Sequence, residues 1–129
     1  MAYKVFDRTS KPLGNPVIAV LPDGRLALNA ACARILRTAK AEALVLLWDS
    51  ARLRIGFKIS RKDDPNAFAI SQGSGSVTMR AKTFFDHIGW AGKKRESLPA
   101  TWNEKEWMFE VPIPPRLLEN RREGSGVGE

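Results

Sequence analysis

Asp23-Gly24-Arg25-Leu26-Ala27-Leu28-Asn29 and Ser74-Gly75-Ser76-Val77-Thr78-Met79-Arg80 spell one pattern twice: a turn glycine, an alternating strand, then the start of a helix. The echo continues downstream. Trp48 to Ile59 aligns with Trp102 to Ile113, so that Leu53, Ile55, Phe57 and Ile59 correspond to Trp107, Phe109, Val111 and Ile113. One apolar face thus recurs with period two in both copies. The fold class this predicts is mostly β with two short helices, an α+β barrel of two ββαββ repeats related by pseudo-twofold symmetry. The copies are offset by 51 residues at the turn, about 52 at the helix and 54 at the last hairpin, so they differ by small insertions.

Working outward from the echo divides the chain. Residues 1–14 mix charge with Pro12 and Gly14 and read as an N-terminal arm; residues 15–62 hold the first repeat, 63–115 the second, and 116–129 a flexible tail. In the first repeat, Pro16 to Leu21 and Arg25 to Leu28 flank the Pro22-Asp23-Gly24 turn, and Asn29 caps a helix that turns Cys32, Ile35 and Leu36 inward. Ala43 to Trp48 and Arg52 to Ser60 form a second hairpin, with Asp49 bonding its own backbone in the turn. Arg61 to Asn66 links the copies. In the second repeat, Ala67 to Ser71 and Ser76 to Met79 pair, and a helix from about Ala81 buries Phe84, Phe85 and Ile88 before stopping at Gly89. Lys93 to Glu96 is expected as a charged loop, and Trp102 to Ile113 as the last hairpin.

A chain of 129 residues with 43% hydrophobic and 27% charged side chains is long enough for one core shared by two halves, whereas a single ββαββ unit of about 50 residues buries too little apolar surface to stand comfortably alone. No apolar run approaches the roughly 20 residues that cross a bilayer. With Lys4, Asp7 and Arg8 near its start, the chain does not read as carrying a signal peptide, and a cytoplasmic protein without a membrane partner is expected. The lone Cys32 reads as a small buried hydrophobe.

The net charge of +7 is unevenly spread. Residues 1–62 hold 12 Lys/Arg against four Asp/Glu, a net +8, and residues 63–129 hold nine against ten, a net −1. A cationic half points to a polyanion, because Lys and Arg that neutralise phosphates release condensed counterions.

Gly24 and Arg25 in a turn, the alternating Leu26 and Leu28, a short helix bearing Arg34 and Leu36, the strand Leu44 to Trp48, the acidic turn at Asp49 and the strand Arg52 to Lys58 together resemble the AbrB-type transition-state regulator domain. The resemblance covers roughly 45 residues of the first copy, and the second fits as a degenerate partner, an arrangement similar to MraZ-like proteins with tandem copies. It implies a swapped-hairpin barrel that presents arginines to DNA, so double-stranded DNA is the expected partner and transcriptional regulation the expected role. It also implies either a monomer acting as its own pseudo-dimer or a homodimer. Arg25, Arg34, Arg37, Arg52, Arg54 and Lys58 are the candidate nucleic-acid contacts. Arg52, Arg54 and Lys58 are expected on one strand face, as a phosphate track or as a salt-bridged pairing with Glu106 and Glu110.

Trp48 and Trp102 occupy equivalent places and read as plugs at the barrel ends, while Trp107 is expected to face inward. His87 stands without a second histidine or cysteine at ligand spacing, and Asp63-Asp64 are neighbours that splay apart, so no metal site, catalytic residue or cofactor is expected, and no enzyme. Two other readings stay open. Residues 43 to 79 followed by the second helix resemble a Whirly-type ββββα layout that holds single strands, and the tail suits an antitoxin-like protein-interaction module.

Overall fold

The computed structural model describes residues 15–73 and 75–119. Within them the chain runs β1 (Val17–Val20), β2 (Arg25–Leu28), α1 (Ala30–Thr38), β3 (Ala43–Asp49), β4 (Arg54–Ser60), β5 (Ala67–Gln72), β6 (Val77–Arg80), α2 (Lys82–Ile88), β7 (Glu96–Pro99), β8 (Thr101–Asn103) and β9 (Met108–Pro112), then one turn of 3-10 helix at Pro115–Leu117. The arm at residues 1–14 and the tail beyond Glu119 lie outside the described residues. The fold is mostly β, a nearly closed antiparallel barrel-like sheet with two helices.

Strand order shows how the halves interlock. The sheet runs β7-β1-β2-β6-β5-β3-β4-β9-β8, and its ends are one bent strand, because β7 and β8 are separated only by Ala100, whose N–H donates to the Pro16 carbonyl at 2.9 Å. Each repeat's first hairpin pairs with the other repeat's second hairpin: β1 with β7, and β5 with β3. The pseudo-dyad passes through both central pairings. Ala27 faces Thr78 between β2 and β6, and Gly56 faces Glu110 between β4 and β9, each pair being copy-equivalent positions. The order also separates β4 from β5, so residues 43–79 do not form a sequential four-strand meander.

Alternation drives this closure. Leu26 and Leu28 of β2, Val77 and Met79 of β6, Ile55 and Phe57 of β4, and Phe109 and Val111 of β9 all point inward and join one cluster with Ile18, Val20, Leu44 and Phe85. Both copies thus contribute to a single core, which removes the apolar area that neither could bury alone.

The helices close the barrel through local rules. Asn29 caps α1, its Oδ1 accepting from Cys32 N at 3.1 Å and from Val17 N at 3.1 Å, so one side chain ties the helix start to β1. α1 buries Ala31, Cys32, Ala33 and Leu36. α2 has no side-chain cap at Ala81 but ends as expected at Gly89, in the left-handed region at φ 82°, with Trp90 N donating back to Phe85 O at 2.9 Å. Asp49 Oδ1 accepts from Ala51 N and Arg52 N at 3.1 Å each, and Asn103 repeats the device at the equivalent turn, accepting from Glu106 N at 3.2 Å.

Four expectations are corrected. Trp107 does not face inward: with its counterpart Leu53 it sits in a hairpin turn at positive φ, 55° and 54°, and it is 49% exposed. The shared inward face therefore begins at Ile55 and Phe109. Arg52 belongs to the same turn as Leu53 and not to the strand that carries Arg54 and Lys58. Glu96 is no loop residue but opens β7; it is buried against the barrel and met by Arg116 Nη2 at 3.3 Å. The part of the expected tail that is described, residues 116–119, packs on the barrel: Leu117 is buried, Ala91 N donates to Leu117 O and Glu119 N to Gly89 O, both at 2.7 Å.

Candidate functional site

The outward face of the β2–β6 pairing carries the most concentrated exposed charge at the pseudo-dyad. Because Leu26, Leu28, Val77 and Met79 take the inward positions, Arg25, Ala27, Thr78 and Arg80 must project outward. The register then sets Arg25 directly opposite Arg80. With Arg95, from the segment entering β7, these arginines line a concavity of about 580 Å³ whose floor is Ala27, Ala69, Ser71 and Thr78. All three arginines are exposed, and among the described residues no carboxylate lines the hollow.

Among the described residues one acid pairs with these arginines. Asp23 Oδ2 accepts from Arg25 Nε at 2.8 Å, and its carboxyl is held below the usual carboxylate range, first by the Arg25 backbone N–H and then by the guanidinium. That pair is exposed on both sides, so it orients Arg25 more than it stabilises the fold. Among the described residues Arg80 and Arg95 form no ion pair. Like charges set directly opposite across antiparallel strands are destabilising by up to about 1 kcal/mol. Thr78 and Ser71 add hydroxyl donors to the floor.

The six arginines and lysines singled out from sequence are not gathered at this face. Arg25 lies in it. Arg34 and Arg37 are exposed on α1, and Arg34 borders a separate groove beside Trp102 and Trp107. Arg52 is exposed in the β3–β4 turn. Arg54 lies between Asp49 at 3.7 Å and Glu110 at 3.8 Å, and Lys58 Nζ donates to the Glu106 carbonyl at 2.6 Å, so both are engaged in contacts between the copies or within their own hairpin. Arg80 and Arg95 are the members that sequence reasoning missed. A signal for Arg80 existed: if equivalent strands pair about an axis through Ala27 and Thr78, position 25 must meet position 80.

Among the described residues no other cluster of titratable or nucleophilic side chains offers chemistry. Burial pushes the Cys32 thiol up to about 11, which keeps it protonated and unreactive at neutral pH. His87 is exposed on α2, and among the described residues no three His, Cys, Asp or Glu side chains come together as a metal site would need. No helix among them is long and apolar enough to cross a membrane. In comparison with known proteins, the chain matches no family model, no curated protein and no solved structure.

Proposed function

We propose that this protein binds nucleic acid, double-stranded DNA by preference, and acts as a regulator of AbrB-like type, using the basic hollow on its pseudo-dyad. The observation that carries the reading is the confrontation of Arg25 and Arg80, with Arg95 beside them, in a concave surface that no acid lines among the described residues. Cations at facing positions of adjacent strands repel each other unless an anion lies between them, and a phosphodiester backbone supplies such anions in series. Arg54 and Lys58 do not line the hollow, so the reading rests on Arg25, Arg80 and Arg95.

The test is a salt titration of duplex binding by fluorescence anisotropy. Arg80→Glu and Arg95→Glu are each expected to weaken binding by about tenfold or more and to flatten the log K against log salt slope by roughly one. Arg54→Ala should leave affinity within about twofold. Competition with oligo-dT decides strandedness. Binding without salt dependence, or unaltered in both glutamate variants, would refute the assignment.

A further inference from the structure

The pseudo-dyad generates two grooves, and among the described residues only one has a leucine from beyond the last strand in its wall. In each, the turn of one repeat's second hairpin lies beside the helix of the other repeat. The first groove, about 290 Å³, is bounded by Trp48 and Leu53 from the β3–β4 hairpin and by His87 and Ile88 of α2, and Leu118 of this same chain forms part of its wall. The second, about 310 Å³, has Trp102 and Trp107 in the places of Trp48 and Leu53, and Ile35, Thr38 and Arg34 of α1 across from them.

Connectivity explains the difference. After β9, Pro114 and Pro115 turn the chain so that the Leu117 carbonyl and Glu119 N–H bond the backbone just beyond α2, which delivers Leu118 to the first groove. After β4, at the corresponding point, the chain must instead travel to β5. It does so through the Arg61–Asn66 turns, fixed by Ser60 Oγ donating to Asp64 at 2.6 Å, and this stretch holds no leucine. Among the described residues nothing plays the part of Leu118 in the second groove. Trp107 is accordingly left 49% exposed, whereas its counterpart Leu53 is half-buried.

We propose that the second groove docks an extended segment of a partner protein, one bearing a leucine flanked by acidic residues. The leucine follows from the molecule's own solution of the equivalent problem, an aliphatic side chain between a hairpin tryptophan and a helix. The acids follow from the rim. On the α1 side Arg34, Arg37 and Lys40 are exposed and unpaired among the described residues, and Glu104 is the one acid lining the groove. An exposed tryptophan beside unpaired arginine is also the side-chain composition that dominates binding energy at protein interfaces. This site is separate from the hollow at Arg25 and Arg80, and neither proposal needs the other.

The experiment uses the full chain, labelled with nitrogen-15, and a synthetic peptide of residues 113–119 carrying Arg116→Glu. The indole N–H resonance that disappears in Trp107→Phe is expected to shift and saturate as peptide is added. Affinity should fall about tenfold or more in Trp107→Ala and severalfold in Arg34→Glu, both exposed positions whose replacement leaves the core intact. Peptide that also carries Leu118→Ala should not bind. Three results overturn the proposal: no shift at millimolar peptide, binding that survives Trp107→Ala because the peptide has displaced Leu118 from the first groove, or a Trp107 response to oligo-dT with none to the peptide.

Discussion

Replacing Gly24 with alanine, beside the same replacement at Gly75, tests the interlocking of the two halves at one atom. The two glycines are equivalent in the sequence echo, but their surroundings differ. A Cβ built on Gly24 would lie 2.5 Å from Lys82 Cα and 2.6 Å from Lys82 Cβ, at the start of the other repeat's helix. That neighbour cannot swing aside, since the adjacent Ala81 N–H is bonded to the Gly24 carbonyl at 2.9 Å. Gly24 also sits at φ 88°, where an L side chain costs about 1 kcal/mol or more. Adding about 1–3 kcal/mol for forced displacement of packed atoms gives a loss of roughly 2–5 kcal/mol for Gly24→Ala. Gly75 has nothing within 4 Å of its would-be Cβ, so Gly75→Ala should stay within about 0.5 kcal/mol of the parent. Urea unfolding followed by tryptophan fluorescence reads the difference as a midpoint lowered by about 1 M or more in one variant and unmoved in the other. Equal midpoints would mean that the β1–β2 turn does not rest on α2 and that the interleaved arrangement is wrong.

Two further outcomes follow from buried groups. Asn29→Ala removes two accepted hydrogen bonds, from Cys32 N and Val17 N, and one donated to the Asn15 carbonyl, and should cost about 2 kcal/mol in thermal melting; Asn29→Asp keeps both acceptors and should recover most of it. The Cys32 thiol ionises near 9.0 when free and near 11 in the fold, so it favours the folded state fully below pH 9 and loses that contribution as pH rises toward 11. Over that window the parent should lose stability more steeply than Cys32→Ala, and parallel curves would show that the thiol is not desolvated.

The barrel was legible where period-two alternation and turn chemistry act over a few residues. Gly24, Asn29, Asp49 and Gly89 each fix a local geometry through backbone conformation or a side-chain hydrogen bond, and the inward sets on β2, β4, β6 and β9 follow from alternation. What escaped depends on long-range pairing. β7 carries only Leu98 as an inward aliphatic, with Glu96 as its other inward residue, so its pattern looks polar until β1 is seen to pair with it. Trp107 counts as apolar in any pattern, and only the left-handed turn conformation it shares with Leu53 sends it outward. For the candidate site, Arg25 could be read from its place after a turn glycine. Arg80 and Arg95 enter only through the strand order, which brings residues 55 and 70 positions away in the chain to the same hollow.

The duplication itself does not impose the arginine pair, and this is what gives the pair its weight. Symmetry makes position 27 face position 78 and position 56 face position 110, so those contacts would arise in any twofold arrangement of the repeat. Arg25, however, has Ser76 as its copy-equivalent, and Arg80 has Asn29. Each copy thus brings an arginine from a non-equivalent position to one face, where the two repel. At the opposite pole of the dyad the comparable confrontation is neutralised, with Arg54 set against Glu110 and Asp49. A barrel requires only that the inward residues be apolar; it is indifferent to the outward ones and would be slightly more stable with Arg80 replaced by threonine. The cations at this pole, of which Arg25 alone has an acidic partner, in Asp23, among the described residues, therefore serve no need of the fold, and an anionic ligand held between them is the arrangement in which their proximity becomes favourable.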